Sequence, residues 1–214
     1  MSEKRVNKLG KVLVTLLLLP AAVIVPVLSL ESHYAPPTQA QTQPDSAQAQ
    51  RVAAYKADLV EDIKKGEQDK IKLRCSVAQA NAKTLATRLA GVQKARNTAY
   101  DKILGDLNVL LGRLENQAYE TTALKENIDA LQAKVDAFKV GMNNYYLAVN
   151  DLATIDCMND PVAFAATLQA ARKAHQAVQP QIADIRAYIT NTVKPTLVQV
   201  RDQIAAGRTV GGSQ

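Results

Sequence analysis

Apolar residues recur along this chain at alternating steps of four and three. A first row runs Ile71, Cys75, Ala78, Ala82, Leu85, Leu89 and Val92, and a second runs Leu124, Ile128, Leu131, Val135, Phe138, Met142, Tyr145, Val149 and Leu152. A third begins at Phe164 and passes through Leu168, Ala171, His175, Val178, Ile182, Ile185 and Ile189 to Val193, Leu197, Val200 and Ile204. Such spacing keeps one stripe of a helix facing a partner helix, the pattern of a coiled coil. It predicts an all-α fold, a coiled-coil-like bundle over residues 51–206.

The path between the first two rows is open to two readings. The four-three phase continues through Ile103, Leu107, Leu110, Leu114, Gln117 and Thr121 to Leu124, which permits a single long rod. Against the rod, Gln117 and Thr121 are consecutive polar positions in the row, and 115–122 (ENQAYETT) is the most polar interval between the two strong rows. Thr121 or Thr122 is a candidate cap for a new helix. A turn near residue 116 makes an elongated antiparallel hairpin, completed by a third helix.

Other boundaries are clearer. The helical pattern opens with Val52, Tyr55, Leu59 and Ile63, after Asp45 or Ser46 as candidate cap, and a slip or bend is expected near Gly66 where the phase changes. Asp160-Pro161 places a capping carboxylate before a proline at the first helical position, which starts the third helix. Pro180 and Pro195 predict kinks within it. Gly207 ends the pattern, so residues 207–214 read as a disordered tail.

Ahead of the helices, Val12 to Leu30 is an uncharged apolar run preceded by Lys4, Arg5, Lys8 and Lys11. Its length approaches that needed to span a bilayer, so residues 1–30 read as a signal anchor, with a cleaved secretory signal and a buried soluble helix as alternatives. The basic flank places everything after Leu30 outside the cytoplasm. Residues 31–50, rich in Pro, Gln, Thr and Ala and without Lys or Arg, form a flexible linker.

Composition agrees with an elongated helical chain, being 47% hydrophobic but only 4% aromatic, with no Trp. The net charge of +6 raises nucleic acid as a partner, but the first thirty residues hold four cations against Glu3, leaving +3. That remainder is spread through mixed-sign stretches such as Asp58 to Glu67, without a basic stripe or stacking aromatics, and nucleic acid is set aside.

The chemistry-bearing residues are few. Cys75 and Cys157, the only cysteines, are equally far from residue 116, so the hairpin brings them to one level. On the rod they would lie about 120 Å apart. Outside the cytoplasm an intrachain bridge is the leading reading, beside interchain bridges and free thiols, and no C-x-x-C pair points to redox catalysis. His175 sits on the third apolar row, where a hydrogen-bonded structural histidine competes with a proton switch or metal ligand, and His33 is too remote to be a second ligand. Of Tyr145 and Tyr146, one enters the row and the other points away, partly covered by the third helix. No phosphate loop, G-x-S-x-G or H-E-x-x-H occurs, so no catalytic, cofactor or metal site and no small-molecule substrate is assigned.

The segments KIKLRC (70–75), IDCMNDP (155–161) and DIRAYITNTVKP (184–195) resemble those of small exported coiled-coil proteins of candidate-phylum bacteria. The resemblance covers residues 50–205 and implies an envelope location and paired cysteines, but no activity or ligand. The expected function is a non-catalytic, membrane-anchored spacer or protein-interaction module of the cell envelope, held through residues 12–30 and meeting another envelope protein or itself. A secreted or periplasmic holdase or adaptor is the alternative, and an extracytoplasmic solute-sensing module comes third.

Overall fold

The computed structural model describes residues 46–59 and 62–210, the last four by backbone alone. They are helical without a strand: α1 (Ser46–Ala57), α2 (Lys65–Leu73), α3 (Cys75–Glu115), α4 (Thr122–Thr154), α5 (Pro161–Tyr188), a π-turn (Ile189–Val193) and α6 (Lys194–Val210). No described helix is long and apolar enough to cross a membrane. The expected anchor, residues 1–30, and most of the expected linker lie outside the described residues.

The middle helix carries the fold. Leu124, Ile128, Leu131, Val135, Phe138, Met142, Val149 and Leu152 of α4 are all buried, Phe138 completely, so the predicted second row is the core stripe. Helix α3 packs against α4 from one side and α5 from the other, while α3 and α5 make at most marginal contact. The Tyr100 ring of α3 meets Phe138 edge-on at 5.3 Å, fastening the two long helices at mid-length. Near the middle of α4, a Cβ on Gly141 would lie 2.6 Å from Gln181 Oε1 and 3.3 Å from Val178 Cγ2, so the missing side chain is what lets α5 approach.

The first row is displaced by one residue from expectation over part of its length. Leu85 and Val92 are 40% and 44% exposed, whereas Ala86 is buried beside Ala82 and Leu89. The inward row runs Cys75, Gln79, Ala82, Ala86, Leu89, Gln93, Arg96, Tyr100, Ile103, Leu107, Leu110 and Leu114, still in steps of four and three, with each member buried or half-buried. Polar side chains at Gln79, Gln93 and Arg96 hide this row from an apolar count; long stems cover apolar surface while their heads reach polar surroundings.

The chain turns where the hairpin reading placed it. Tyr119 N–H bonds to Leu114 C=O at 3.1 Å and Ala118 N–H to Glu115 C=O at 3.0 Å, the paired bonds of a Schellman motif. Its left-handed position, φ 58°, is filled by Ala118 rather than glycine. At the start of α4, Thr121 occupies the cap position without a side-chain cap bond. Instead the Glu120 carboxylate accepts the Thr122 N–H at 2.8 Å.

The remaining boundaries shift in detail. Helix α1 starts at Ser46, inside the expected linker. The expected bend near Gly66 becomes two interruptions, one between Ala57 and Lys65 and one at Arg74, with Gly66 inside α2. Asp160 caps α5 as predicted, its carboxylate accepting the Ala163 N–H at 2.8 Å, with Pro161 in the first turn. Pro180 lies within a continuous α5.

Pro195 is answered by the π-turn immediately before it, where Lys194 N–H bonds to Ile189 C=O, five residues back. Proline lacks the N–H and crowds the preceding turn, and a local π-turn relieves both. The π-turn also serves the core. Ile185, Ile189, Val193 and Leu197 are spaced by fours, steps that would precess by about 40° each on a straight α-helix. The wider turn absorbs part of that drift, and all four are buried. Helix α6 then passes through Gly207 to Val210, so half of the expected tail has a helical backbone.

Two measurements check this framework. Leu89→Ala should cost about 2 kcal/mol or more in urea unfolding, and Leu85→Ala about 1 kcal/mol or less; the reverse order would restore the unshifted row. Ala118→Gly should raise stability by about 1 kcal/mol by relieving the left-handed alanine.

Candidate functional site

The chemistry gathers at the end of the hairpin away from its turn. Cys75 opens α3 just after the Arg74 interruption, and Cys157 lies in the short connection between α4 and α5. The two are joined in a disulfide with Cα atoms 5.6 Å apart, and they are 5% and 0% exposed. The bond ties the first turn of α3 to the α4–α5 junction.

The junction is built to hold Cys157 in place. Asp156 accepts the backbone N–H groups of Met158 and Asn159, both at 3.1 Å, and the Asn159 amide at 2.6 Å. The Asn159 side chain first, and then those backbone N–H groups, hold the Asp156 carboxyl below the usual carboxylate range. From α3, Gln79 donates its side-chain amide to the Ile155 carbonyl. This inward glutamine therefore supports the cystine from the next turn of α3.

A strap crosses the same end. Helix α1 packs on α5, and its Arg51 makes a two-pronged pair with Asp151, Nε to Oδ2 at 2.9 Å and Nη2 to Oδ1 at 2.7 Å. The Asp151 side chain is fully buried and that of Arg51 is 27% exposed. Gln48 donates to the Thr154 hydroxyl, and Lys56 pairs with Asp160 at 3.1 Å. Burial, and then the nearby Asp151 carboxylate, raise the Tyr55 phenol above its ordinary value. The strap leaves no trace in the sequence pattern, because Gln48 falls within the expected linker and Arg51 and Asp151 are 100 positions apart.

Other predicted positions take plainer roles. His175 is exposed rather than seated in the row, bonding to Gln179 at 3.0 Å with its ring 5.1 Å from that of Tyr145. Tyr145 and Tyr146 are both half-buried, and burial raises the Tyr145 phenol. Among the described residues no three His, Cys, Asp or Glu side chains converge as a metal site. The concavity beside Gln179, Ile182, Arg186 and Asn191 is open, and all its lining comes from α5 and the π-turn. At the π-turn, Tyr188 donates to Asn127 at 3.0 Å and Asn127 to Thr196 at 2.7 Å, a satisfied polar clamp between α4 and the proline-bearing helix.

Comparison with protein-family models, with curated proteins and with solved structures finds no match. The arrangement is therefore read from its own parts: a buried cystine, a capped junction and an arginine-pinned strap, a set suited to fixing shape.

Two substitutions separate these parts. Cys75→Ser should lower stability by up to about 4 kcal/mol, the chain-entropy value for so long a loop, while circular dichroism retains most of the helix signal. Arg51→Met should cost about 3 kcal/mol because it strands a buried carboxylate, and adding Asp151→Leu should recover much of the loss. A double variant less stable than the single one would mean that Asp151 has other essential partners.

Proposed function

We propose that this protein is a non-catalytic, membrane-anchored module of the cell envelope that presents a rigid helical body outside the cytoplasm, as a spacer or an interaction surface. The observation that carries the reading is the buried Cys75–Cys157 cystine. Such a bond persists in an oxidising compartment, and it would guard a long hairpin against opening at its free end. Its support in sequence is the apolar run 12–30 behind four cations. At 1.5 Å per residue the 41-residue α3 extends for about 60 Å.

A second reading, a secreted or periplasmic holdase or adaptor, is favoured by the exposed Leu73, Val77, Leu85 and Val92. A client-binding helix needs such side chains, whereas a pure spacer does not. Fractionation combined with intact mass distinguishes the two. The anchored module stays in the membrane fraction through high salt and alkaline wash with the apolar run retained, and a soluble chain beginning near Leu30 or later would replace it with the secreted reading.

A further inference from the structure

The charges of the hairpin are unevenly distributed. Between Asp69 and Asp101 the chain contains no acidic residue. Within that interval Lys70, Lys72 and Arg74 lie in α2 and at its joint, and Lys83, Arg88, Lys94 and Arg96 lie on α3. None of them makes an ion pair with another described residue, although ion pairs are formed elsewhere in the fold. The even spread of charge inferred from sequence thus gives way to a cationic first half of α3.

The same half of α3 leaves apolar side chains uncovered. Val77, Leu85 and Val92 are 64%, 40% and 44% exposed. Their spacings of eight and seven put them within an arc of about 80° on the helix. Arg88 falls in that arc, and Lys83 and Lys94 share the opposite flank of the free surface. With α4 on its inward side and α5 beyond α4, no other described helix makes more than marginal contact with α3.

We propose that this face of α3 lies on an anionic lipid surface. A run of cations that form no ion pair with another described residue calls for an anionic partner. The chain outside the described residues has only Glu3, Glu31, Asp45 and Glu61 as acids, fewer than the seven cations between Asp69 and Asp101. A nucleic acid would engage the cations but leave Val77, Leu85 and Val92 in water, and Tyr100, the nearest aromatic on α3, is already committed to Phe138. The headgroup boundary of an anionic bilayer accepts both parts, apolar side chains at the acyl edge and Lys and Arg among the phosphates.

Proximity adds to this, and here the inference rests on the anchored reading. The apolar run ends at Leu30 and α1 begins at Ser46. Residues 31–45, whose Pro, Gln, Thr and Ala content is that of a linker, would span about 20 Å as a random coil. They enter at α1, whose polar contacts are with Asp151, Thr154 and Asp160 beside the cystine, the end where the cationic half of α3 begins. The long helix would then lie along the membrane instead of standing away from it.

The test uses the full chain and exploits its lack of tryptophan. Val92→Trp protein is mixed with vesicles of phosphatidylcholine alone or with about one-third phosphatidylglycerol. The expected result is a blue-shifted emission, quenched by lipids brominated on the acyl chain, only with the anionic vesicles and reversed by about 0.5 M salt. Adding Arg88→Glu and Lys94→Glu, both at exposed positions, should weaken this salt-sensitive engagement about thirtyfold or more while the cystine and the helix signal persist. An emission that is identical on both vesicles, or unchanged by the charge reversals, overturns the proposal. So does protection by short duplex DNA or by a polyglutamate peptide in the absence of any effect of anionic vesicles. The anchor is read separately as salt-resistant flotation with neutral vesicles. Losing flotation but keeping the anionic shift overturns the anchor alone, and the reverse overturns the docking face alone.

Discussion

Everything in this fold leans on one stripe of one helix. The row from Leu124 to Leu152 on α4 is covered from two sides, by α3 and by α5, which scarcely meet each other. A stripe of regular four-three spacing normally serves one neighbour. Here Leu131, Val135 and Phe138 are almost wholly buried because two neighbours share them. The outer helices can then afford broken rows, with glutamines and an arginine on the inner face of α3 and four-residue steps on α5 and beyond.

That economy leaves the outer helices needing attachment at their ends. On α3 the attachment at one end is the turn through Ala118, and at the other it is the cystine to Cys157. On α5 it is the Asp160 cap at the start and the clamp of Tyr188, Asn127 and Thr196 around the π-turn. The strap α1 adds a third attachment, with Arg51 neutralising a carboxylate that the packing of α4 and α5 has removed from water. Removing such a partner is costly because the remaining charge has no solvent to replace it.

Sequence spacing made the middle helix and most of the third legible, since their rows are apolar at nearly every step. It misplaced part of the first row for a physical reason. Leu85 and Val92 lie one step outside the true row, and Gln79, Gln93 and Arg96 lie within it. An apolar count favours the former, although what decides is which residues α4 covers. The turn was ambiguous because its left-handed position holds Ala118, where glycine would have marked it. The pairing of Cys75 with Cys157 was legible from their equal distance to the turn. The Arg51–Asp151 pair was not, because contacts between residues a hundred positions apart leave no periodic trace.

The displaced row matters beyond bookkeeping of positions. Were Leu85 and Val92 inside, α3 would present a polar outer surface and there would be little for a partner to recognise. With the row shifted, the same residues face outward with Arg88 in their arc and Lys83 and Lys94 on the opposite flank, in an interval from which acids are absent. The inward polar residues and the outward apolar ones are two sides of one change in register. A helix held mainly by α4 tolerates imperfect burial on its inner side, and that tolerance is what frees apolar side chains for an outer surface. The cystine and the Gln79 bond to Ile155 then keep this half of α3 from rotating to bury them.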